Sequence, residues 1–103
     1  MSNEQIIFNK RMELMSDGII GKSGNRLVMD GEDGEKRLVD EPEMIHTSRE
    51  WKRRGYKVKR HQQPVSKLDI FKYAGKTEDG KKEYMTVEAL FFASSQVEVL
   101  QEV

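Results

Sequence analysis

The sequence predicts an α+β fold with an N-terminal helix, a small hairpin, a short basic helix, an antiparallel β-meander and a short C-terminal helix. Three observations carry this prediction: an apolar stripe at helical spacing near the N-terminus, runs of alternating polar and apolar residues, and capping motifs before the short helices. The 103 residues correspond by length to one domain. We expect residues 1–44 to form the helix and an acidic hairpin, and residues 45–103 to form the other elements.

The first element is predicted as a helix over residues 3–17. Ser2 stands at the N-cap position and Gln5 follows three residues later, which is the pattern of a capping box. Gly18 supplies a C-terminal stop. The apolar side chains that recur at helical spacing, and that we expect to face the core, are Phe8, Met12, Met15 and Ile19.

A hairpin with an acidic turn follows. Leu27–Met29 and Arg37–Val39 flank a turn rich in Gly and Asp, which predicts two antiparallel strands. The turn, residues 30–35, lacks the ligand spacing and the terminal Glu of a calcium-binding loop. We therefore expect no metal there, and Pro42 breaks any element in the connector that follows.

A short basic helix is predicted next. Thr47 and Glu50 form a capping box, and Gly55 stops the helix after about two turns. Trp51 is its one large apolar side chain, so we expect the indole to rest on the core. Residues 56–60 then alternate polar and apolar side chains, which predicts a strand.

Two longer strands and a terminal helix complete the prediction. Residues 65–73 and 83–92 read as strands on either side of a polar turn, and with residues 56–60 they form a three-stranded antiparallel meander. Ser95 and Glu98 form a further capping box, which predicts a short helix through Leu100.

Charge is unevenly distributed along the chain. Basic and acidic residues balance at 18 each, yet residues 45–82 hold 12 basic and 4 acidic ones. The sequence contains no Cys, which excludes disulfides and thiolate metal sites and indicates a reducing, cytoplasmic setting. No apolar run approaches the roughly 20 residues of a membrane span, so we expect no membrane partner.

No set of residues indicates catalysis. His46 and His61 are the only histidines, and neither lies in a metal-binding motif. Ser94 and Ser95 follow an apolar run but lack the Gly-x-Ser-x-Gly elbow of a hydrolase. The sequence therefore predicts a protein that is not an enzyme and that uses no cofactor or metal ion.

Basic side chains interleaved with aromatic ones are the positive functional signal. Binding of single-stranded nucleic acid requires cations for the phosphates and exposed rings on which bases stack. The alternative is that the cations merely solvate one face while the rings fill a small core. The candidate nucleic-acid contacts are Arg49, Lys52, Arg53, Arg54, Tyr56, Lys57, Lys59, Arg60, Lys72 and Tyr73.

A resemblance to a known family covers most of residues 45–99 and, more weakly, residues 4–20. The runs HTSREWKRRGYKVKRHQQPVSKLDIFKY and FFASSQVEV resemble the N-terminal domain of ArdC-type antirestriction proteins. Short phage and mobile-element proteins with an ArdC-like single-stranded-DNA-binding domain are more similar still. The family pattern has a Trp lead, Gly-x-x-Val-Lys/Arg-x-Gly-Glu-Lys, a strand ending in an aromatic and Lys, then Phe and Gln. The matching residues are Trp51, Gly55, Val58, Lys59, Ile70, Phe71, Lys72, Phe92 and Gln96.

The resemblance implies a stand-alone module that binds single-stranded DNA with little sequence preference. Two departures qualify it. His61, Gln62 and Gln63 stand where the pattern has Gly-Glu-Lys. Full-length antirestriction proteins also carry a metallopeptidase-like domain with an HExxH motif, which this sequence lacks, so no protease activity carries over.

Two other functions are alternatives. An inhibitor of a host defence nuclease, of antirestriction or anti-CRISPR type, would bind its protein partner through the acidic tract over residues 30–43. An accessory domain would instead form a homo-oligomer through its sheet edges. Charge reversal at Lys57 and Lys59 separates DNA binding from inhibition, because only DNA binding depends on these lysines.

Overall fold

The architecture is α+β, and the predicted N-terminal helix and antiparallel β-meander are confirmed. The computed structural model describes residues 2–101. Its α-helices are α1 (Asn3–Ser16) and α2 (Ser48–Arg53). Its strands are β1 (Lys22–Asp30), β2 (Lys36–Pro42), β3 (Ile45–His46), β4 (Tyr56–Val58), β5 (Ser66–Lys76), β6 (Lys82–Ala93) and β7 (Val97–Val99), with one 3₁₀ turn, Ser94–Gln96, before β7.

The strands pair into three antiparallel sheets within residues 2–101. β1 pairs with β2, β6 lies between β3 and β5, and β4 pairs with β7. The β5–β6 hairpin is the longest, running from the Ser66–Phe91 pair at its proximal end to the Lys76–Lys82 pair at its distal end. The β1–β2 hairpin is the predicted acidic one, longer than expected, and Pro42 is its last residue.

The core lies between α1 and the proximal part of the β5–β6 hairpin. Its buried side chains are Leu14, Ile20, Ile45, Phe91 and Ala93, and Ile7, Met15, Leu68 and Ile70 pack against them. Ile19, which the helical spacing placed in the core stripe, is instead 55% exposed. Because α1 ends at Ser16, helical spacing no longer applies there, and Ile20 takes the buried position.

The N-terminus of α1 is tied to the edge of the sheet. Ser2 Oγ accepts a hydrogen bond from Gln5 N at 3.2 Å, as expected of the predicted N-cap. Asn3 then satisfies both backbone groups of Phe71: its Nδ2 donates to the carbonyl oxygen at 2.8 Å, and its Oδ1 accepts from the amide at 2.7 Å. Since β5 is an edge strand, these contacts fix the position of Phe71 and cover part of that edge.

A buried carboxylate joins the acidic hairpin to the 3₁₀ turn. Glu43 accepts hydrogen bonds from Gly21 N at 2.8 Å, Ser94 Oγ at 2.5 Å and Ser95 N at 3.0 Å. Burial raises the pKa of Glu43, but these hydrogen bonds together outweigh burial, so its pKa lies below the ordinary value. The adjacent backbone carbonyls accept from the buried Arg11: Nε donates to Glu43 O at 3.1 Å and Nη2 to Pro42 O at 2.6 Å.

Residues 56–60 were predicted to form the first strand of the meander, and this prediction is wrong. β4 pairs with β7, Tyr56 opposite Val99, and does not join β5. The predicted terminal helix is only the single 3₁₀ turn, and Glu98 lies in a strand rather than at a helical capping position. The alternation of β-branched Val97 and Val99 with Glu98 favours a strand, and pairing with β4 satisfies its backbone groups.

Candidate nucleic-acid interface

α2 is anchored to the core through Trp51. Thr47 Oγ1 accepts a hydrogen bond from Glu50 N at 3.2 Å, which confirms the predicted N-cap. The indole of Trp51 is buried, as expected, and its Nε1 donates to Phe92 O at 2.9 Å. Because Trp51 is the one buried residue of α2, this indole sets the orientation of the basic side chains around it.

Two further aromatic rings lie against the indole of Trp51. The ring of His46 lies 4.7 Å from that of Trp51, and the ring of Tyr56 lies 5.5 Å from it, both edge-to-face at 77°. They line an open hollow of about 660 Å³, which we call the aromatic concavity. Its lining residues are Met44, His46, Trp51, Arg54, Tyr56, Ser94 and Val97.

The histidine of the aromatic concavity favours its uncharged form. Burial lowers the pKa of His46, and the positive charge of Arg54 lowers it further, while Glu50 acts in the opposite direction. The imidazole is therefore neutral at pH values where an exposed histidine is partly charged. A neutral ring presents a flat face against which a base can pack without an ionic partner.

The basic side chains of α2 divide into two groups around the helix. Arg54 lines the aromatic concavity on the same side as Trp51. Arg49 and Arg53 are four residues apart, and helical geometry places both on the side opposite Trp51. Lys52 lies between these two sides. The predicted basic helix is therefore confirmed as a helix, but of its basic side chains only that of Arg54, the C-cap residue, lines the aromatic concavity.

Some candidate cations already have acidic partners. Arg53 forms an ion pair with Glu50, and Arg54 Nε lies 3.5 Å from Glu50 Oε1. The hydrogen bond and charge of Arg53 lower the pKa of Glu50, and Glu50 in turn raises the pKa of Arg53. Lys57 Nζ lies 3.5 Å from Glu98 Oε1 across the β4–β7 pair. All of these pairs are accessible to water, and their strength is reduced by salt.

Other candidate cations are unpaired. Arg49, Lys52 and Arg60 are exposed and make no ion pair within residues 2–101. Lys59 Nζ donates to the carbonyl oxygen of Ser95 at 3.3 Å, which leaves its charge uncompensated. These four cations and Arg54 lie in or directly after α2 and β4, so positive charge is concentrated on this segment, and Arg54 is the one among them that lines the aromatic concavity.

Lys72 and Tyr73 lie apart from this group. Both are in β5 beyond the core, about 20–25 Å along the hairpin from Ser66 at a strand rise of about 3.3 Å per residue. Strand alternation also places Lys72 on the opposite face from Phe71 and Tyr73. The expected single surface of interleaved cations and rings is therefore wrong for this strand, because β5 is not the neighbour of β4.

The sequence did not identify several residues of the aromatic concavity. Met44, His46, Ser94 and Val97 were not among the predicted nucleic-acid contacts. Their meeting depends on long-range pairing, since His46 lies opposite Phe92 in the β3–β6 pair and Val97 lies opposite Val58. The one local signal is the spacing of His46, Trp51 and Tyr56, five residues apart at each step.

The turn after β4 has the geometry that a glycine favours. His61 has a φ of 62°, which is the left-handed conformation. The ArdC-like pattern described above has Gly at this position. Gln96 Nε2 holds this turn, donating to Gln62 Oε1 at 3.2 Å and to Gln63 O at 2.6 Å. The Oε1 of Gln96 accepts from Ala93 N at 2.8 Å, so one side chain joins the turn to the 3₁₀ segment.

The acidic tract over residues 30–43 does not form one surface. Its turn residues are exposed, with Asp33 Oδ1 accepting from Glu35 N at 3.2 Å. Asp40 instead pairs with Lys22 at 3.0 Å, and Glu43 is buried. The negative surface is therefore confined to the hairpin turn and is smaller than the sequence indicates.

No helix within residues 2–101 has both the length and the apolar character needed to cross a membrane. In the same part of the chain, no three His, Asp or Glu side chains are grouped so that they would hold a metal ion. No protein-family model, curated protein or solved structure matches this chain.

Proposed function

We propose that this protein is a non-catalytic module that binds single-stranded DNA with little sequence preference. The observation that carries the proposal is the aromatic concavity with Arg54 in its lining, together with three exposed cations nearby in the chain, Lys52 in α2 and Lys59 and Arg60 directly after β4. Single-strand binding requires this combination, because bases stack on rings while the phosphates of the same strand are neutralised nearby. The resemblance to ArdC-like domains supports the same function.

In the proposed complex one base enters the aromatic concavity. The indole N–H of Trp51 is already used by Phe92, so Trp51 forms the floor and gives no base-specific hydrogen bond. Tyr56 is 37% exposed and offers its ring as the stacking surface, with the neutral His46 on the other side. Every base has a π face, so stacking of this kind discriminates little between sequences.

The phosphates are assigned to the cations around the concavity. Arg54 is positioned for the phosphate next to the inserted base. Lys52, Lys59 and Arg60 offer positive charge to the neighbouring phosphates of the DNA. Lys57 exchanges its exposed contact with Glu98 for a phosphate, a small cost because water-exposed ion pairs contribute about 0–1 kcal/mol. Arg49 and Arg53, on the far side of α2, contribute mainly long-range attraction.

Fluorescence titrations with the purified chain test the proposal. Trp51 is the only tryptophan, so its emission reports the aromatic concavity directly. Single-stranded DNA should change this emission, whereas a duplex of the same sequence should bind weakly, because its bases are not free to stack. Tyr56→Ala should weaken single-strand binding by about 1–3 kcal/mol, the usual contribution of one stacked base.

Matched charge reversals provide the control. Lys52→Glu and Lys36→Glu change the net charge equally, and both lysines are exposed without an ion pair in residues 2–101. Only Lys52→Glu should weaken DNA binding, because Lys36 lies in the acidic hairpin. Equal loss in both variants would show that net charge alone governs binding and would refute a dedicated interface.

The competing function, inhibition of a defence nuclease, would depend on the acidic hairpin turn. Lys substitutions at Glu32 and Asp33 should leave single-strand affinity within about twofold or raise it slightly through charge. Two results together would favour the inhibitor. The original chain would bind no oligonucleotide but inhibit a defence nuclease, and the double variant would lose that inhibition.

A further inference from the structure

The distal part of the β5–β6 hairpin carries exposed aromatic rings on one face. Phe71, Tyr73 and Tyr84 are 48%, 51% and 59% exposed. Tyr73 lies directly opposite Tyr84, and Phe71 is the next residue on the same side of β5, so alternation places all three rings together. The Tyr73 and Tyr84 rings meet edge-to-face with centroids 5.9 Å apart. We call this the distal aromatic face.

This face is held in place by α1. The two hydrogen bonds between Asn3 and the backbone of Phe71 fix the strand beneath the ring. An open groove of about 530 Å³ lies between Ser2, Asn3, Phe71 and Tyr84. A ring carried on a fixed backbone segment loses less freedom when a base stacks on it than one on a mobile segment, which favours binding.

Two lysines lie beside these rings without an acidic partner. Lys82 is two residues from Tyr84 on β6, on the same face, and it lies directly opposite Lys76. Neither lysine makes an ion pair within residues 2–101. Like charges directly opposite each other destabilise a sheet. An anion bound between the two ammonium groups removes this repulsion.

The other charges near this face limit how a ligand lies on it. Asp69 and Glu88 face each other on the same side, next to the Phe71–Thr86 pair and towards the proximal end. Strand alternation directs Glu83 to the opposite face, and Asp79 in the turn accepts a hydrogen bond from Thr77. A phosphate is therefore attracted at the Lys76–Lys82 end and repelled at the Asp69–Glu88 end.

We propose that the distal aromatic face is a second contact surface for single-stranded DNA, on which two bases stack while a phosphate lies between Lys76 and Lys82. The strand crosses the hairpin rather than following it, because the acidic pair blocks the path towards the core. The identity of the ligand rests on the proposed function, but the residues are separate. Tyr84 lies about 25 Å along β6 from Phe92, where Trp51 is anchored.

Oligonucleotides of two lengths test the second surface. A strand of about 20 nucleotides spans both surfaces, whereas one of about four nucleotides occupies only one. Tyr73→Ala with Tyr84→Ala should weaken binding of the long strand by at least about tenfold. The same double variant should leave the Trp51 emission change with the short strand unaltered. Met85→Ala is the matched control, since Met85 is 51% exposed and lies on the opposite face of the same strand.

Charge reversal gives an independent test that does not depend on the rings. Lys82→Glu places opposite charges across the strand pair, so it should raise the urea midpoint of unfolding while weakening binding of the long strand. The salt dependence of log affinity should decrease in slope by about 0.7, corresponding to one lost phosphate contact. Lys36→Glu changes the net charge equally in the acidic hairpin and should leave that slope unchanged.

The outcomes separate the two proposals. If the tyrosine double variant binds the long strand as tightly as Met85→Ala does, the second surface is refuted, whatever happens at Trp51. If long-strand binding depends on the tyrosines but Trp51 emission never responds to DNA, the second surface stands and the aromatic concavity is refuted as a DNA site.

Discussion

The indole Nε1 of Trp51 donates a hydrogen bond of 2.9 Å to the carbonyl oxygen of Phe92 and thereby attaches the basic helix to the longest hairpin of the fold. The indole also lines the aromatic concavity, and the rings of His46 and Tyr56 both contact it edge-to-face. One side chain therefore serves both the core and the candidate interface. A substitution of Trp51 is therefore expected to change both the free energy of unfolding and the affinity for DNA.

Trp51→Phe should lower the free energy of unfolding by about 1–2 kcal/mol, because it removes one hydrogen bond and leaves the Phe92 carbonyl without its side-chain partner. Trp51→Ala should cost about 3–5 kcal/mol, because it also leaves a cavity. Urea unfolding followed by circular dichroism measures both. Phe71→Ala, at a half-exposed ring, is the comparison and should cost less. A Trp51→Phe chain as stable as the original would show that this hydrogen bond contributes nothing.

Glu43 should make the fold sensitive to acid. Its pKa in the folded chain lies below the ordinary 4.5, so between these two values the unfolded chain binds more protons. The stabilisation from the ionised carboxylate is therefore complete above about pH 4.5 and is lost as the pH falls through the lower, folded value.

Glu43→Gln should remove this acid-dependent loss and should cost about 1–3 kcal/mol at neutral pH, because the donors from Gly21, Ser94 and Ser95 lose a charged acceptor. Thermal unfolding across the acid range measures the effect. Glu32→Gln, in the exposed hairpin turn, is the control. If both variants show the same dependence of stability on pH, the hydrogen bonds to Glu43 do not cause the acid sensitivity.

His61→Gly should stabilise the chain by about 0.5–1 kcal/mol. A side chain in the left-handed conformation costs about 1–2 kcal/mol, and the greater freedom of glycine in the unfolded chain offsets part of the gain. Gln63→Gly in the same turn should destabilise, because its contact with Gln96 uses only the backbone carbonyl and it gains nothing from relief of strain. Denaturant midpoints compare the two, and destabilisation by His61→Gly would contradict the conformational interpretation.

Features set by neighbouring residues could be predicted from the sequence, whereas those set by distant pairing could not. The caps at Ser2 and Thr47 and the anchoring role of Trp51 follow from short-range spacing and composition. β4 pairs with β7, which places Tyr56 opposite Val99. The residues around Tyr56 contain no local signal that predicts this partner. The buried state of Glu43 depends on Ser94, 51 residues away.

The candidate interface shows the same division. Arg54 and Tyr56 could be predicted as candidates because both lie within the basic residues 49–60. His46 could not, because its place in the aromatic concavity results from the packing of β3 beside β6. The grouping of Lys72 and Tyr73 with the basic helix would be correct only if β5 were adjacent to β4, and it is not.

Salt dependence of single-strand affinity tests the proposed function most directly. With about four or five phosphates contacted, log affinity should fall against log salt concentration with a slope of about −3. Charge reversal of both Lys57 and Lys59 should abolish binding or reduce this slope by about 1.4, the loss of two phosphate contacts. A slope near zero, or a slope that the double reversal leaves unchanged, would contradict the proposal that the cations around the aromatic concavity bind the phosphates of single-stranded DNA.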